Sequence, residues 1–103
     1  MAKTVNNEEF KNLMNQEGVV IVDYFATWCG PCQMFAPVFD AVSTEETEAN
    51  LVKVDIDEER DIAIDAGVQG VPTIIAYKDG KEVSRFSGFQ PKENLEQFIK
   101  SVK

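Results

Sequence analysis

Apolar residues follow two spacings along the chain, one typical of strands and one of helices. A near-continuous apolar run, rich in β-branched and aromatic residues, covers residues 19–26 and predicts a central strand covered on both faces. The alternating segment 51–56 predicts a second strand. Two further runs, 73–77 and 82–86, flank Asp79-Gly80, a strong hairpin signal. The pattern therefore predicts a central strand, a second strand and a hairpin.

Helical spacing covers the segments around the first strand. Asn6 is predicted as the N-cap of a first helix because Glu9 stands three residues further on, as in a capping box. A second helix is predicted over residues 31–42, with apolar residues on one side. Pro37 should kink this helix, since proline removes a backbone hydrogen bond and crowds the preceding turn. The polar, acidic segment 43–50 is predicted as a surface turn.

Two more helices are predicted in the second half of the chain. Asp57 should cap a short helix that Gly67 closes. The final helix has Pro91 in its first turn and apolar residues at helical spacing, namely Leu95, Phe98, Ile99 and Val102. A strand–helix–strand series implies a right-handed parallel crossover. We therefore expect a single α/β domain over residues 1–103 with a mixed sheet between helices.

Composition and charge narrow the possible functions. The chain has 103 residues, 44% of them hydrophobic, and a net charge of −8 without any histidine. Such an acidic chain is repelled by nucleic acid phosphates and by anionic lipids, so neither is an expected partner. The N-terminal residues do not have the pattern of a signal peptide, and no segment approaches the roughly 18 apolar residues of a membrane span. We therefore expect a cytoplasmic protein.

The only two cysteines, Cys29 and Cys32, follow the first strand at its C-terminal end. This is the usual position of a reactive group in an α/β protein. At a helix N-terminus such a pair closes into a disulfide with little strain, and Gly30 and Pro31 suit that position. Free N–H groups and the helix dipole favour the thiolate of the first cysteine. Cys29 is thus predicted to be the exposed nucleophile and Cys32 the resolving thiol.

Other uses of a cysteine pair fit less well. Zinc needs four ligands, and the chain has no histidine and no further cysteine, so a metal would require carboxylates or a second subunit. Haem attachment needs a histidine at the position of Gln33. A structural disulfide across so short a loop adds little stability. A redox role is favoured, and no metal is expected.

Residues near the cysteine pair suggest further roles. Asp23 interrupts the apolar strand and is either turned to water or buried. If it is buried, desolvation raises its pKa and makes it a proton acceptor for Cys32. Trp28 is expected to be half exposed, where it shields the thiolate and offers an apolar surface. Met34 and Phe35 are expected in the core.

Several motifs stand together in a familiar order. They are Val22-Asp23-Tyr24-Phe25-Ala26-Thr27-Trp28-Cys29-Gly30-Pro31-Cys32, then Pro37, Lys53, Asp57, Gly70-Val71-Pro72-Thr73 and Gly88. With these motifs the chain resembles the thioredoxin family over nearly its whole length. The resemblance implies the thioredoxin fold, a central mixed five-stranded sheet flanked by four helices. It also implies a general protein disulfide reductase that helps to maintain cell redox homeostasis.

The resemblance also implies roles for individual residues. Asp23 would be buried, with Lys53 as a neighbour that tunes it. Val71-Pro72 would be a cis peptide that lies against the cysteine pair and offers the Val71 backbone to a substrate. The implied substrate-binding set is Trp28, Gly30, Pro31, Gly70, Val71, Pro72 and Gly88, to which Phe89 is a possible addition.

The implied electron source lies outside the chain. No Gly-x-Gly-x-x-Gly fingerprint for a nucleotide occurs in the sequence, so no bound cofactor is expected. The family points to a monomer that is reduced by a separate thioredoxin reductase, which carries flavin and draws on NADPH. Its expected disulfide substrates are ribonucleotide reductase, methionine sulfoxide reductase and peroxiredoxins.

Two departures and two alternatives remain. Many family members have tryptophan where this chain has Phe25, and lysine or arginine where it has Gln33. The missing positive charge is expected to weaken thiolate stabilisation slightly. An oxidant or isomerase is one alternative, although such relatives usually carry histidine between the cysteines. The other is a binding module whose cysteines are incidental.

Overall fold

Five strands and four helices make up the computed structural model, which describes residues 2–103. The strands are β1 (Lys3–Thr4), β2 (Val19–Phe25), β3 (Ala49–Asp55), β4 (Thr73–Lys78) and β5 (Lys81–Ser87). The helices are α1 (Asn7–Met14), α2 (Gly30–Glu45), α3 (Arg60–Asp65) and α4 (Lys92–Val102). The strands form one sheet in the order β1-β3-β2-β4-β5, in which β2 runs parallel to β3 and antiparallel to β4. The predicted mixed five-stranded sheet with four helices is confirmed.

The apolar pattern does not reveal β1. This strand is only two residues long, and both of them are exposed. It forms because Lys3 and Thr4 pair in parallel with β3, and because the N–H of Val5 donates to the carbonyl of Lys53 at 2.8 Å. Burial of the Val5 side chain then fixes the edge strand.

Alternate residues of β2 enter separate cores on the two faces of the sheet. Val19 and Ile21 pack on the face that α2 and α4 cover. Val20, Val22 and Tyr24 pack on the opposite face, which α1 and α3 cover. Because side chains alternate along a strand, the next odd-numbered residue, Asp23, lies on the α2 face. The carboxyl group is therefore directed towards the helix that begins beside the cysteines.

The helix ends show which local predictions hold. The capping box of α1 is confirmed, because Glu9 N donates to Asn6 Oδ1 at 2.9 Å and Asn6 N donates to Glu9 Oε1 at 3.0 Å. Pro91 is the N-cap of α4 rather than a residue of its first turn.

None of the helices in the described part of the chain is long and apolar enough to cross a membrane.

The prediction of a surface turn over residues 43–50 is wrong. Helix α2 continues to Glu45, and β3 already begins at Ala49. The hydroxyl group of Ser43 donates to the carbonyl of Asp40 at 2.7 Å, so this polar residue is accommodated within the last turns of the helix. The turn itself is confined to residues 46–48.

Asp57 does not cap the third helix as predicted. Helix α3 begins at Arg60, its N-cap is Glu59, and no side chain there bonds to the helix end. The backbone N–H of Asp57 instead donates to Asp55 Oδ1 at 2.9 Å. This turn leaves the Asp57 carboxylate free to contact Trp28, as described below.

Candidate active site

Cys29 and Cys32 lie where β2 ends and α2 begins. The two residues form a disulfide with their Cα atoms 5.2 Å apart, and Cys29 is the N-cap of α2. The backbone N–H of Cys32 donates to Cys29 Sγ at 3.1 Å. The prediction that Cys29 is the exposed cysteine is wrong for this disulfide state, because the exposed fractions are 5% and 4%. The hydrogen bond rather than exposure distinguishes the two sulfur atoms.

The start of α2 provides a favourable setting for a negative sulfur atom. An N–H group that points at Cys29 Sγ stabilises a thiolate more strongly than a thiol, and the helix dipole acts in the same direction. No acidic residue occupies the first turn of the helix. The side chain of Gln33 donates to the carbonyl of Thr27 at 3.0 Å, so this residue holds the preceding turn.

The Val71-Pro72 segment lies beside the disulfide. Its peptide bond is cis, as the resemblance implied, and the Val71 carbonyl oxygen is 3.6 Å from Cys29 Sγ. The side chain of Pro72 is fully buried. Pro72, which the resemblance places in the substrate-binding set, therefore offers no exposed side-chain surface to a substrate. The N–H of Gly88 donates to the Pro72 carbonyl at 2.9 Å, so Gly88 holds the segment in place through its backbone.

A groove of about 400 Å³ opens beside Cys29. It brings together five of the residues expected to bind substrate, namely Trp28, Gly30, Pro31, Gly70 and Val71. Pro72 and Gly88 do not line it. Ile56, Val68 and Gln69 complete its wall, and sequence reasoning did not include them. The position of Ile56 was the available signal, because it follows β3 at the edge where the parallel neighbour β2 also ends.

Trp28 forms one side of this groove and is more exposed than predicted. Its exposed fraction is 69%, and its indole N–H donates to Asp57 Oδ2 at 2.9 Å. The hydrogen bond restrains a ring that is otherwise largely exposed. Asp57 is thus a functional candidate that the cap prediction misassigned.

Asp23 is buried, which settles the question that its sequence position left open. The residue is 0% exposed, and neither carboxyl oxygen has a hydrogen-bond partner within residues 2–103. Burial raises the pKa of Asp23 to about 7, the charge of Asp40 acts in the same direction, and Lys53 opposes both. The carboxyl group therefore titrates near neutral pH.

Sequence comparison identifies the family. The family model described as Thioredoxin matches residues 1–101. The chain belongs to the thioredoxin family. A thioredoxin from Staphylococcus saprophyticus is 47% identical over 85 residues, which cover 82% of each chain. Thioredoxin-1 of Schizosaccharomyces pombe is 41% identical over 102 residues, which cover 98% of each chain.

Structural comparison agrees with this assignment. The X-ray structure of Fasciola hepatica thioredoxin superposes with a TM-score of 0.90 and 36% sequence identity, and the match covers 100% of each chain. Together with the cysteine pair at the start of α2, these matches make the chain a thiol–disulfide oxidoreductase of the thioredoxin family.

The outward face of α2 next to Pro31 differs from the prediction that both Met34 and Phe35 lie in the core of this thioredoxin-family chain. Phe35 is fully buried as expected, but Met34 is 66% exposed. Met34 lies three residues after the exposed Pro31 on the same face of α2, turned away from the sheet. Phe89, the possible addition to the binding set, packs edge-on against Phe35 with ring centroids 6.2 Å apart.

Proposed function

We propose that this thioredoxin-family protein is a general protein disulfide reductase in which Cys29 attacks and Cys32 resolves. The observation that carries the proposal is the N–H of Cys32 directed at Cys29 Sγ, beside a groove large enough for a peptide side chain. An N–H donor on Cys29 lowers the free energy of its thiolate, which is the attacking species. Cys32 lies one turn inside the helix, within reach of the Cys29 sulfur atom.

The proposed reaction transfers two electrons from the dithiol to the substrate. The Cys29 thiolate attacks one sulfur of the substrate disulfide, that S–S bond breaks, and the first substrate thiolate leaves. Cys32 then loses its proton and attacks Cys29 Sγ, which releases the second substrate thiolate. The leaving thiolates take up protons, and the protein ends with the Cys29–Cys32 disulfide.

Asp23 is the proposed proton acceptor for Cys32. It lies on the face of β2 that α2 covers, and its pKa of about 7 allows it to accept and return a proton near neutral pH. Lys53 is proposed to tune this pKa, since its charge favours the ionised carboxylate.

Partners and location belong to the same proposal. Return of the dithiol requires two electrons, for which we propose a separate thioredoxin reductase with flavin that draws on NADPH. The proposed substrates are disulfide-containing proteins, among them ribonucleotide reductase, methionine sulfoxide reductase and peroxiredoxins. We propose that the protein acts as a monomer in the cytoplasm, where it helps to maintain redox homeostasis.

Reduction of insulin tests the proposal. With a thioredoxin reductase and NADPH, the wild-type protein should reduce insulin catalytically, and replacement of both cysteines by serine should abolish the reaction. A binding module would retain its partners after that replacement. Absence of insulin reduction by the wild type would contradict the reductase function.

Covalent trapping tests the two roles separately. Each single serine variant keeps one thiol, because the chain contains no other cysteine. Cys32→Ser should accumulate a mixed disulfide on Cys29, detected by mass spectrometry, and Cys29→Ser should not. The opposite pattern would reverse the assignment.

A further inference from the structure

A side-chain hydroxyl group closes the turn that carries Val71. Thr73 Oγ1 donates to the carbonyl oxygen of Gly70 at 2.5 Å, and the Thr73 side chain is only 2% exposed. A hydroxyl group has one hydrogen to donate. The contact between Thr73 Oγ1 and Ser87 Oγ at 3.2 Å must therefore have Ser87 as its donor. We call this chain of bonds, from Ser87 through Thr73 to Gly70, the hydroxyl relay.

The relay and a second bond hold the carbonyl groups on both sides of Val71. The Gly70 carbonyl accepts from Thr73, and the Pro72 carbonyl accepts from the N–H of Gly88 at 2.9 Å. Within residues 2–103 the N–H of Val71 has no hydrogen-bond acceptor. Its carbonyl oxygen lies 3.6 Å from Cys29 Sγ. The turn is thus fixed on both sides, while the polar groups of Val71 remain available at the disulfide.

The sheet determines where the relay stands. Thr73 and Ser87 are direct partners in the antiparallel pair of β4 and β5, so their side chains project on the same face. Thr73 is one of only two buried polar residues in the described part of the chain, and Asp23 is the other. A buried hydroxyl group without partners is unfavourable, so the relay keeps the Thr73 hydroxyl in one orientation.

We propose that Thr73, oriented by Ser87, is a positioning residue that fixes the Val71 backbone against the disulfide for substrates with a peptide backbone. The inference rests on the proposed function and deepens it. A protein substrate that brings its disulfide to Cys29 must place the residues beside its cysteine next to Val71. Those residues carry N–H and carbonyl groups that pair with Val71. A small disulfide without a peptide backbone has no such groups and does not use the relay.

Substrate discrimination tests this inference. Thr73→Val keeps the side-chain shape and removes the hydroxyl group. It should lower kcat/KM for insulin by about fivefold, the usual effect of one neutral hydrogen bond, mainly through KM. The same variant should leave the reduction of hydroxyethyl disulfide unchanged. Thr73→Ser should restore insulin reduction, and Ser87→Ala should cause a smaller loss in the same direction.

A matched control separates the relay from hydroxyl groups in general. Ser101 Oγ donates to the carbonyl of Phe98 at 2.6 Å, also three residues back, at the end of α4. Ser101→Ala should leave the reduction of both insulin and hydroxyethyl disulfide unchanged. An equal loss on both substrates in Thr73→Val would mean that the residue acts on the dithiol or the fold. No loss on insulin would also overturn the inference.

A measurement without turnover keeps this inference separate from the reductase proposal. The backbone order parameter of the Val71 amide, measured by 15N NMR relaxation, should fall in Thr73→Val and Ser87→Ala and stay unchanged in Ser101→Ala. If the wild type reduces no protein disulfide while the Val71 amide loosens as expected, the reductase function fails and the positioning role stands. An unchanged Val71 amide in both relay variants would refute the positioning role. Ser87 is exposed, so its variant provides the answer if Thr73→Val does not fold.

Discussion

Asp23 and Lys53 are direct partners across the parallel pair of β2 and β3, yet the Lys53 ammonium group lies over the ring of Phe25. Its nitrogen is 4.9 Å from the ring centroid, a cation–π distance. Both oxygens of Asp23 remain without a hydrogen-bond partner in the described chain. Lys53 therefore lowers the pKa of Asp23 only through space, and burial outweighs it. Phe25, one of the two departures from the family pattern, thus helps to determine the electrostatics of the site.

Replacement of Asp23 by asparagine should stabilise the oxidised protein at alkaline pH. The pKa of Asp23 is raised from 3.8 to about 7 by folding, so the folded state favours the protonated form. Wild-type stability should therefore fall as pH rises from the unfolded pKa to the folded pKa, by on the order of a few kcal/mol. Asp23→Asn removes this loss. Urea unfolding at a pH of about 5 and of about 9 measures the difference.

An exposed carboxylate provides the control for this experiment. Asp61 lies on the exposed side of α3. The variant Asp61→Asn should therefore keep the pH dependence of stability that the wild type shows. If Asp23→Asn loses stability between the two pH values as steeply as the wild type does, the buried carboxyl group is not the source of the pH-dependent loss of stability.

Replacement of Lys53 by methionine should shift the pH profile of resolution upwards. Lys53 lowers the pKa of Asp23, so its removal raises that pKa further. In its proposed role, Asp23 would then accept the Cys32 proton only at higher pH. Release of a preformed mixed disulfide, followed by stopped flow across pH, measures the midpoint. Lys11→Met is the matched control, because Lys11 is an exposed lysine on α1. If the midpoint moves equally in that variant, Lys53 does not specifically tune the pKa of Asp23.

Most of the regular elements and the cysteine pair were predictable because their signals are local. The capping box at Asn6 and the apolar run of β2 need only neighbouring residues to be recognised. Met34 and β1 were not predictable in this way. Whether a helical methionine is buried depends on which helix face meets the sheet, and β1 exists only through its pairing with β3.

The same difference separates the predicted and unpredicted parts of the site. The burial of Asp23 followed from the resemblance rather than from its own sequence pattern. Asp57 looked like a helix cap because the short helix nearby needed one, but its true partner is 29 residues away in sequence, the indole of Trp28. Side-chain contacts at such separations arise from the packed sheet and leave no periodic signal. The hydroxyl relay is of this kind as well.

Replacement of Asp57 by alanine should weaken the binding of protein substrates. The Trp28 indole would lose its hydrogen-bond acceptor, and its largely exposed ring would become mobile at the edge of the groove. We expect KM for insulin to rise by about threefold to tenfold, because solvent exposure weakens this bond to the level of an ordinary neutral one. Trp28 is the only tryptophan, so its fluorescence anisotropy reports the motion directly. Asp57→Asn keeps an acceptor and should stay near the wild type, and equal effects of the two variants would point to charge instead.

Replacement of Gly80 by alanine should destabilise the fold without altering the active site. Gly80 has φ +82°, and an added Cβ would lie 2.1 Å from the backbone oxygen of Met14, at the end of α1. We expect a loss of about 3 kcal/mol in the free energy of unfolding, from the left-handed backbone and the forced shift of α1 together. Gly67→Ala is the matched control, because Gly67 has φ +71° but open space around it, and should lose only about 1 kcal/mol. Urea unfolding compares the two variants, and equal losses would show that α1 moves aside freely.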